Sequence, residues 1–256
     1  MTPPLLFVDD LSGVNAGMTV ALPVDEARHA AAALRMKTGE PVLVADGKGR
    51  RATGAAQVQG NQVGIVVASL EVIAQPNPRI TIVQALAKGE HGELAVDLMT
   101  QVGVDRIIPW SASRSIVQWK SDRADKSRTK WLNMARTAAK QSRRAWIPEI
   151  SEVMSTKELV ACIPSFDVTV ILHEDAVHPL ASAKLPVSGE ICLIVGPEGG
   201  ISEAEIVEFM QAGAVTAALG SSVLRASLAG AIGLAVLSTR LRWADAAIPN
   251  VGGSAL

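Results

Sequence analysis

The chain has 256 residues, of which 48% are hydrophobic and 19% charged, and its formal net charge is -1 at pH 7. These proportions are typical of a globular protein with one large or two ordinary cores, and they exclude a chain that is basic throughout. No apolar stretch has the length of a membrane span, and the amino-terminal sequence lacks the features of a signal peptide. Two cysteines, Cys162 and Cys192, lie in apolar strand-like segments, so we expect reduced thiols in a cytoplasmic protein.

Residues 1–73 predict a small β-rich domain. Strand-like segments alternate with turn sequences such as Asp46-Gly47 and Gly60-Asn61, and one helix-like piece, VDEARHAAAALRM, interrupts them. The strand-like segments are PLLFVDD, MTVAL, PVLVADG and NQVGIVVASLEVI. The sequence AQPNPR at residues 74–79 carries two prolines and an asparagine, and it predicts a linker.

From residue 79 the pattern changes to strands that alternate with helices. The predicted strands are RITIVQAL, RIIPW, DVTVILHED, EICLIVG and AVTAALG. The predicted helices are GELAVDLMTQVGV, KSRTKWLNMARTAAKQSRRA, SEAEIVEFMQAG and ASLAGAIGLAVLSTRLRWA. Ser202 and Glu205 have the spacing of a capping box, and Gly103 and Gly213 are expected helix stops. The alternation predicts an α/β domain with a mostly parallel sheet over residues 79–247.

The segment ICLIVGPEGGISEAEI places a glycine-rich turn, Gly196–Gly200, directly after an apolar strand. Ligands of open parallel sheets bind at the carboxyl ends of strands, and glycines let the backbone approach a ligand closely. The turn lacks the lysine of a phosphate-binding loop and the spacing of a dinucleotide fingerprint, and Glu198 inside it would repel a phosphate. It therefore suits a neutral or cationic ligand, unless it is a plain tight turn in which Glu198 bonds its own backbone.

Two more predicted strands end in polar turns. One ends at Leu172, before His173-Glu174, and the other ends near Leu219, before a turn that leads to Arg225. Three strand ends of this kind would frame one pocket. Arg225 lies between its turn and an apolar helix, where it either acts in the pocket or caps a neighbouring carbonyl.

Basic residues without interspersed acids occupy residues 126–144. This local sorting predicts contacts with RNA phosphates, although a solvated helix face gives the same pattern. A second basic group surrounds two turns of the first domain, and SASRSIV carries a third candidate, so we expect RNA to be held between the two domains. The candidate RNA-binding residues are Arg35, Lys37, Arg50, Arg51, Arg114, Arg136, Lys140, Arg143 and Arg144.

The segments LIVGPEGGISEAEI and ALGSSVLRASLAGAIGLAVL resemble the carboxyl-terminal signature of the SPOUT methyltransferases. Within this family the chain is most similar to the RsmE group, which methylates uridine N3 in small-subunit ribosomal RNA. HAAAALRMKTGEPVLVADGKG resembles the group's amino-terminal PUA-like RNA-binding domain. QALAKGEHGELAVDLMTQVGVDRIIPWSASRSIVQW and ARTAAKQSRRAWIPEI resemble its central motifs, so the resemblance covers most of the chain.

The resemblance implies a PUA-like barrel, a SPOUT α/β domain with a trefoil knot, and a homodimer with the site near its interface. It implies S-adenosylmethionine as cofactor and 16S ribosomal RNA, within the small ribosomal subunit, as partner. The implied activity is methylation of a uridine N3 in the decoding region. The residues that it assigns to the cofactor are Leu172, His173, Glu174, Gly196, Pro197, Glu198, Gly199, Gly200, Leu219, Gly220, Val223, Leu224, Ser227 and Ala229.

The implied chemistry needs three things from the protein. Uridine N3 carries a proton, so the enzyme must capture an unstacked base, align N3 with the methyl carbon and stabilise charge on the uracil oxygens. Arg225 is the candidate for charge stabilisation, and Glu198 for orienting the donor or assisting proton removal. No metal is required, and His173 and His178 lack the spacing of a zinc-protease helix.

The chain departs from the usual last motif of the group at three positions. Ser221 replaces a proline, and Ala226 and Leu228 replace threonines. Leu228 removes a hydroxyl that could touch the donor or the target. These departures leave room for one alternative, a non-catalytic RNA-binding ribosome-assembly factor. A second alternative is a SPOUT methyltransferase that acts on another RNA, although the PUA-like first domain and the segment KQSRRAWIPEI weigh against it.

Overall fold

The computed structural model describes residues 3–60, 62–119 and 121–243. Its first sheet contains β1 (Leu5–Phe7), β2 (Thr19–Ala21), β3 (Pro41–Ala45), β4 (Arg50–Gln59) and β5 (Gln62–Val72), in the order β1-β3-β4-β5-β2. All its pairs are antiparallel except β1 with β3. The β-rich amino-terminal unit is thus confirmed. Some residues of the predicted turn and domains lie outside the described residues: residues 1–2, Asn61 and residues 244–247.

The predicted helix of this unit forms, but it consists of an α-helical part and a π-helical part. α1 (Val24–Arg28) is α-helical, and residues His29–Ala33 continue as a π-helical turn. The backbone N–H of Leu34 accordingly donates to the carbonyl of His29, five residues back, at 3.1 Å. Ala27 and Ala30 are buried in the core of the first sheet, so the small residues let the helix approach it.

The second sheet contains β6 (Arg79–Ala85), β7 (Arg106–Ser111), β8 (Glu149–Ile150), β9 (Met154–Ser155), β10 (Val168–Leu172), β11 (Glu190–Val195) and β12 (Val215–Ala217). The order is β12-β10-β11-β6-β7-β8, with β9 also beside β7. Every pair is parallel, which confirms the predicted parallel sheet. The implied trefoil knot and the division at residues 73 and 79 stay predictions.

Helices cover both faces of the second sheet. α2 (His91–Val102), α3 (Ser121–Gln141) and α6 (Ala226–Leu241) pack on one face, and α4 (Thr156–Cys162) and α5 (Glu203–Gln211) pack on the other. Alternate residues of each strand pack on opposite faces of the sheet. In β6, for example, Ile82 packs in the core on one face and Val83 in the core on the other. Within the ranges described above, no helix combines the length and apolar character that a membrane span requires.

The two cysteines are free thiols, but only one is in a strand. Cys192 lies in β11 and is fully buried, and this burial raises the pKa of its thiol far above the ordinary value. Cys162 instead ends α4 and is only half-buried, so the strand-like interpretation of its surroundings was wrong. A run of apolar residues this short does not distinguish a strand from a helix.

The first sheet meets the second through α3 and the segment after it. Ala139 of α3 packs against β1, and the Lys140 ammonium donates to both carboxylate oxygens of Glu26 at 2.7 and 2.8 Å. The indole N–H of Trp146 donates to the carbonyl of Ile73 at 2.8 Å. Glu26 is buried, so this junction contains a desolvated ion pair as well as apolar contacts.

Candidate active site

A cavity of about 820 Å³ opens at the carboxyl ends of the parallel strands. The loops that follow β10, β11 and β12 all line it, so the structure brings the three predicted turns together around one pocket. Glu198 and Arg225 line it, as do all the residues that the resemblance assigns to the cofactor. The strand before Leu219 is shorter than predicted, because β12 ends at Ala217.

Two positions of the glycine turn require glycine for steric reasons. A Cβ at Gly196 would lie 2.6 Å from Cγ1 of Ile201, and Gly200 has φ +72°, which side-chain-bearing residues rarely adopt. The Gly200 N–H donates to the carbonyl of Pro197 at 2.9 Å and closes the turn. The glycines of the turn therefore present only backbone to the cavity.

Glu198 does not bond the backbone of its own turn. Its Oε1 accepts the backbone N–H of Lys88 at 3.1 Å, and Lys88 lies in the loop that follows β6. This contact ties the glycine turn to a fourth strand end. The side chain is otherwise exposed at the cavity, where its charge faces the space that a ligand would fill.

Arg225 is the residue before the first turn of α6, and its side chain is exposed. Among the described residues, its guanidinium has no hydrogen-bond or ion-pair partner, so it does not cap a neighbouring carbonyl. A cation is unfavourable at a helix N-terminus, because the helix dipole is positive there. An anionic group placed at this end of the cavity would be stabilised by both the guanidinium and the helix.

The charged lining of the cavity is acidic in balance. Its two arginines are Arg114 and Arg225, and its four carboxylates belong to Glu174, Asp175, Glu198 and Glu203. This excess of carboxylates favours a cationic ligand over a phosphate. Among the described residues, no group of three or more histidine, cysteine, aspartate or glutamate side chains is arranged to hold a metal ion.

Two cavity residues were not predicted from the sequence to line the pocket, and both follow other strand ends. His91 is the first residue of α2, beyond the end of β6, and Arg114 follows β7. Arg114 donates from Nη1 to the carbonyl of Gly199 at 3.3 Å, so it contacts the glycine turn directly. Applying the strand-end rule to β6 and β7 as well would have found both.

The three departures from the group's last motif differ in position. Of the three, Ala226 lines the cavity, whereas Ser221 and Leu228 are not among the described lining residues. Leu228 is 38% exposed on α6, and Ile232, one turn later, is 39% exposed. The hydroxyl missing at residue 228 would therefore face outward rather than into the cavity.

Several of the predicted RNA contacts have structural partners. Lys140 pairs with Glu26, and Arg136 lies over the ring of Phe7 at 4.8 Å. Arg144 donates to the carbonyls of Thr100 and Val104, both at 2.8 Å. Burial lowers the pKa of Arg144 to about 10, although Asp105 opposes the shift, and the side chain stays charged at neutral pH.

The remaining candidates divide by exposure. Arg50 lies 3.7 Å from Asp46, and Arg51 pairs with Glu71 at 2.7 Å. The candidates left exposed without an ion pair among the described residues are Arg35, Lys37, Arg114 and Arg143. RNA binding by any of the nine stays a prediction.

Behind the glycine turn, Glu205 is buried at the start of α5 and completes the predicted capping box with Ser202. Burial alone would raise the pKa of Glu205. Hydrogen bonds from Ser113 and Ser202 outweigh it and hold the pKa below the ordinary value. The carboxylate is therefore ionised at neutral pH with no cationic partner among the described residues.

Comparison with known proteins agrees with this fold. Residues 75–238 match the RNA methyltransferase domain family. Ribosomal RNA small subunit methyltransferase E of Mycobacterium tuberculosis (strain CDC 1551 / Oshkosh) is 36% identical over 250 residues, which cover 95% of this chain and 94% of the relative. The protein of the same name from Bacillus subtilis (strain 168) is 28% identical, over 88% of this chain and 91% of the relative.

Solved structures give the same result. Ribosomal RNA small subunit methyltransferase E from Neisseria gonorrhoeae, bound to S-adenosyl methionine, matches with a TM-score of 0.84 and 26% identity over 94% of this chain and 98% of its own. A methyltransferase from Legionella pneumophila, in complex with SAM, matches with a TM-score of 0.82 and 27% identity over the same shares.

The fold and the cavity, together with the domain match, define an RNA methyltransferase. The identity to the mycobacterial relative extends over nearly the full length of both chains. The chain belongs to the ribosomal RNA small subunit methyltransferase E family.

Proposed function

We propose that this chain transfers the methyl group of S-adenosylmethionine to N3 of a uridine in the decoding region of 16S ribosomal RNA. The observation that carries the proposal is the cavity, which three strand-end loops build in a chain with 36% identity to a ribosomal RNA small subunit methyltransferase E. The substrate RNA is held within the small ribosomal subunit.

The cavity fits S-adenosylmethionine in size and chemistry. Its volume of about 820 Å³ lies in the range of roughly 300–1,000 Å³ that is usual for cofactor sites. Leu172, Leu219 and Leu224 supply apolar surface for an adenosine, and the glycine turn supplies backbone polar groups. The acidic balance of the lining favours a sulfonium cation. Bound there, the cofactor supplies an electrophilic methyl group.

The protein side chains then act on the uridine. The guanidinium of Arg225 lies at the cavity rim and at the N-terminus of α6, with no partner among the described residues, so it is placed to stabilise negative charge on a uracil oxygen. Glu198 is anchored by Lys88 and orients the donor or assists removal of the N3 proton. An unstacked base must enter the cavity for either contact to form.

The partner in the homodimer would cover α6. This helix is apolar on nearly all sides, yet Leu228 and Ile232 remain exposed on one face, and Val223 is 75% exposed in the loop before it. A second copy on this face would bury these side chains and bring a second chain close to the cavity loop. A cytoplasmic location stays an expectation that rests on the two free cysteines.

The proposed activity is tested by transfer of radiolabelled methyl from S-adenosylmethionine to small ribosomal subunits that lack the modification. The labelled nucleoside is then identified. The proposal predicts label in 3-methyluridine, and loss of the label with Arg225→Ala.

Three other outcomes would contradict it. Label in another nucleoside would assign a different target base. Donor binding without label on small subunits, but with label on another RNA, would identify a methyltransferase for that RNA. If the chain neither binds the donor nor transfers label, the non-catalytic ribosome-assembly factor becomes the favoured interpretation.

A further inference from the structure

Glu205 connects three separate segments behind the cavity. Its two carboxylate oxygens accept five hydrogen bonds, of 2.7 to 3.1 Å. Oε1 accepts the Ser113 N–H and the Thr156 hydroxyl, and Oε2 accepts the Ser113 hydroxyl together with the N–H and hydroxyl of Ser202. Glu205 thus joins the loop after β7, the start of α4 and the end of the glycine turn.

This number of bonds exceeds what helix capping needs. The capping box at the start of α4 has the same sequence pattern, but the Glu158 carboxylate is exposed, and within the described part of the chain it accepts bonds from Ser155 alone. Glu205 makes the equivalent bonds to Ser202 and adds bonds to Ser113 and Thr156, more than 40 residues away in sequence. Its long-range bonds are therefore not explained by capping of the helix.

The segment that Glu205 fixes forms one wall of the cavity. Ser113 is followed by Arg114, whose guanidinium donates to the carbonyl of Gly199 and lines the cavity. A Cβ added at Gly199 would lie 3.4 Å from Cβ of Arg114, so the two loops pass close to each other. Moving Ser113 would consequently move both the arginine and the glycine turn.

We propose that Glu205 positions the methyl donor indirectly, because it holds the Ser113-Arg114 segment against the glycine turn. The inference rests on the proposed function, since it takes the cavity to be the donor site. Glu205 does not line the cavity and touches no reacting atom. Its effect on the donor passes through Arg114 and Gly199.

Glu205→Gln tests the idea with almost no change in shape. The carboxylate accepts at both oxygens, and the hydroxyls of Ser113, Thr156 and Ser202 can turn round to accept from an amide. The backbone N–H groups of Ser113 and Ser202 cannot, and they point at different oxygens. Either orientation of the glutamine amide therefore sets a donor against one backbone N–H.

The experiment compares the purified full-length chain with Glu205→Gln and the matched control Glu158→Gln. S-adenosylmethionine binding is measured by calorimetry, and amide hydrogen exchange is followed in residues 111–118 and 196–200. We expect Glu205→Gln to raise the donor dissociation constant about tenfold and to speed exchange in both segments. Glu158→Gln should change neither. Ser113→Ala removes a single hydroxyl, so it gives a milder second test if Glu205→Gln folds poorly.

The double variant Glu205→Gln with Arg114→Ala separates positioning from general destabilisation. If Glu205 acts through Arg114, the double variant should bind the donor about as weakly as the weaker single variant. Additive losses, or equal donor binding in Glu205→Gln and Glu158→Gln, would overturn the inference and leave the proposed function standing. A wild-type chain that binds no S-adenosylmethionine would instead overturn the proposed function, and this inference with it.

Discussion

The ion pair between Glu26 and Lys140 gives the sharpest test of the junction between the two sheets. Glu26→Gln keeps the shape of the side chain and removes its charge. The side chain of Glu26 is 9% exposed and that of Lys140 is 20% exposed. Arg136 lies 3.8 Å from the same carboxylate, so the variant leaves two cations facing each other without their shared counter-charge.

The expected cost follows from this burial. Removing one partner of a buried pair typically costs about 3 to 5 kcal/mol, and the partial exposure of Lys140 lowers our estimate to about 2 to 3 kcal/mol. For a chain of this size the thermal midpoint should fall by roughly 5 to 10 °C. Thermal unfolding followed by circular dichroism, with urea unfolding alongside, measures the loss.

Asp25→Asn is the matched control. Asp25 is the neighbouring residue in the first turn of α1, so both substitutions remove a favourable charge near the helix N-terminus. Its partner, Arg28, lies 3.6 Å away, but the two side chains are 94% and 74% exposed. The control should therefore leave the thermal midpoint nearly unchanged. Equal stability of the two variants would show that the Glu26–Lys140 pair does not stabilise the junction.

Three further predictions concern the site and the assembly. Arg225→Ala should slow single-turnover methyl transfer by roughly 10²- to 10³-fold with donor affinity little changed, and an equal loss of donor affinity would contradict its assigned role. The proposed homodimer should become a monomer in light scattering when Leu228→Asp and Ile232→Asp are combined, and an unchanged dimer mass would rule out α6 as its interface. The lowered pKa of Glu205 means that its ionised form stabilises the fold above the ordinary glutamate pKa of about 4.3, and that this contribution is lost as pH falls through the folded-state pKa. The stability difference between wild type and Glu205→Gln, from urea unfolding at pH 3 to 7, should shrink at the acid end, and a constant difference would rule the linkage out.

Regular periodicity made the main elements of this fold predictable. Strands such as β6 and β11 are buried on both faces and are mostly apolar along their length, which is typical of parallel sheets. The capping box at Ser202 and the left-handed Gly103 mark helix ends by local chemistry that does not depend on the rest of the fold. The two-residue strands β8 and β9 carry too little pattern to be recognised.

The candidate site was predictable where it follows strand ends and not where it depends on long-range contacts. The turns at Leu172, Gly196 and Leu219 follow apolar strands, so the sequence alone brings them to one edge of the sheet. The bond from Lys88 to Glu198 joins residues 110 positions apart, and no local pattern indicates it.

The basic segment shows the same limit. Its charges are visible in the sequence, but Lys140 and Arg144 find partners that only the folded chain brings near them. The structure therefore separates basic residues held within the fold from those, such as Arg143, that remain exposed.

The most direct test of the central claim is a crystal structure of this chain with S-adenosylmethionine. We expect density for the donor between residues 172–174, 196–200 and 219–229, with its methyl group directed toward the rim where Arg225 lies. Density at another place on the sheet, or none in this cavity at saturating donor, would contradict the account.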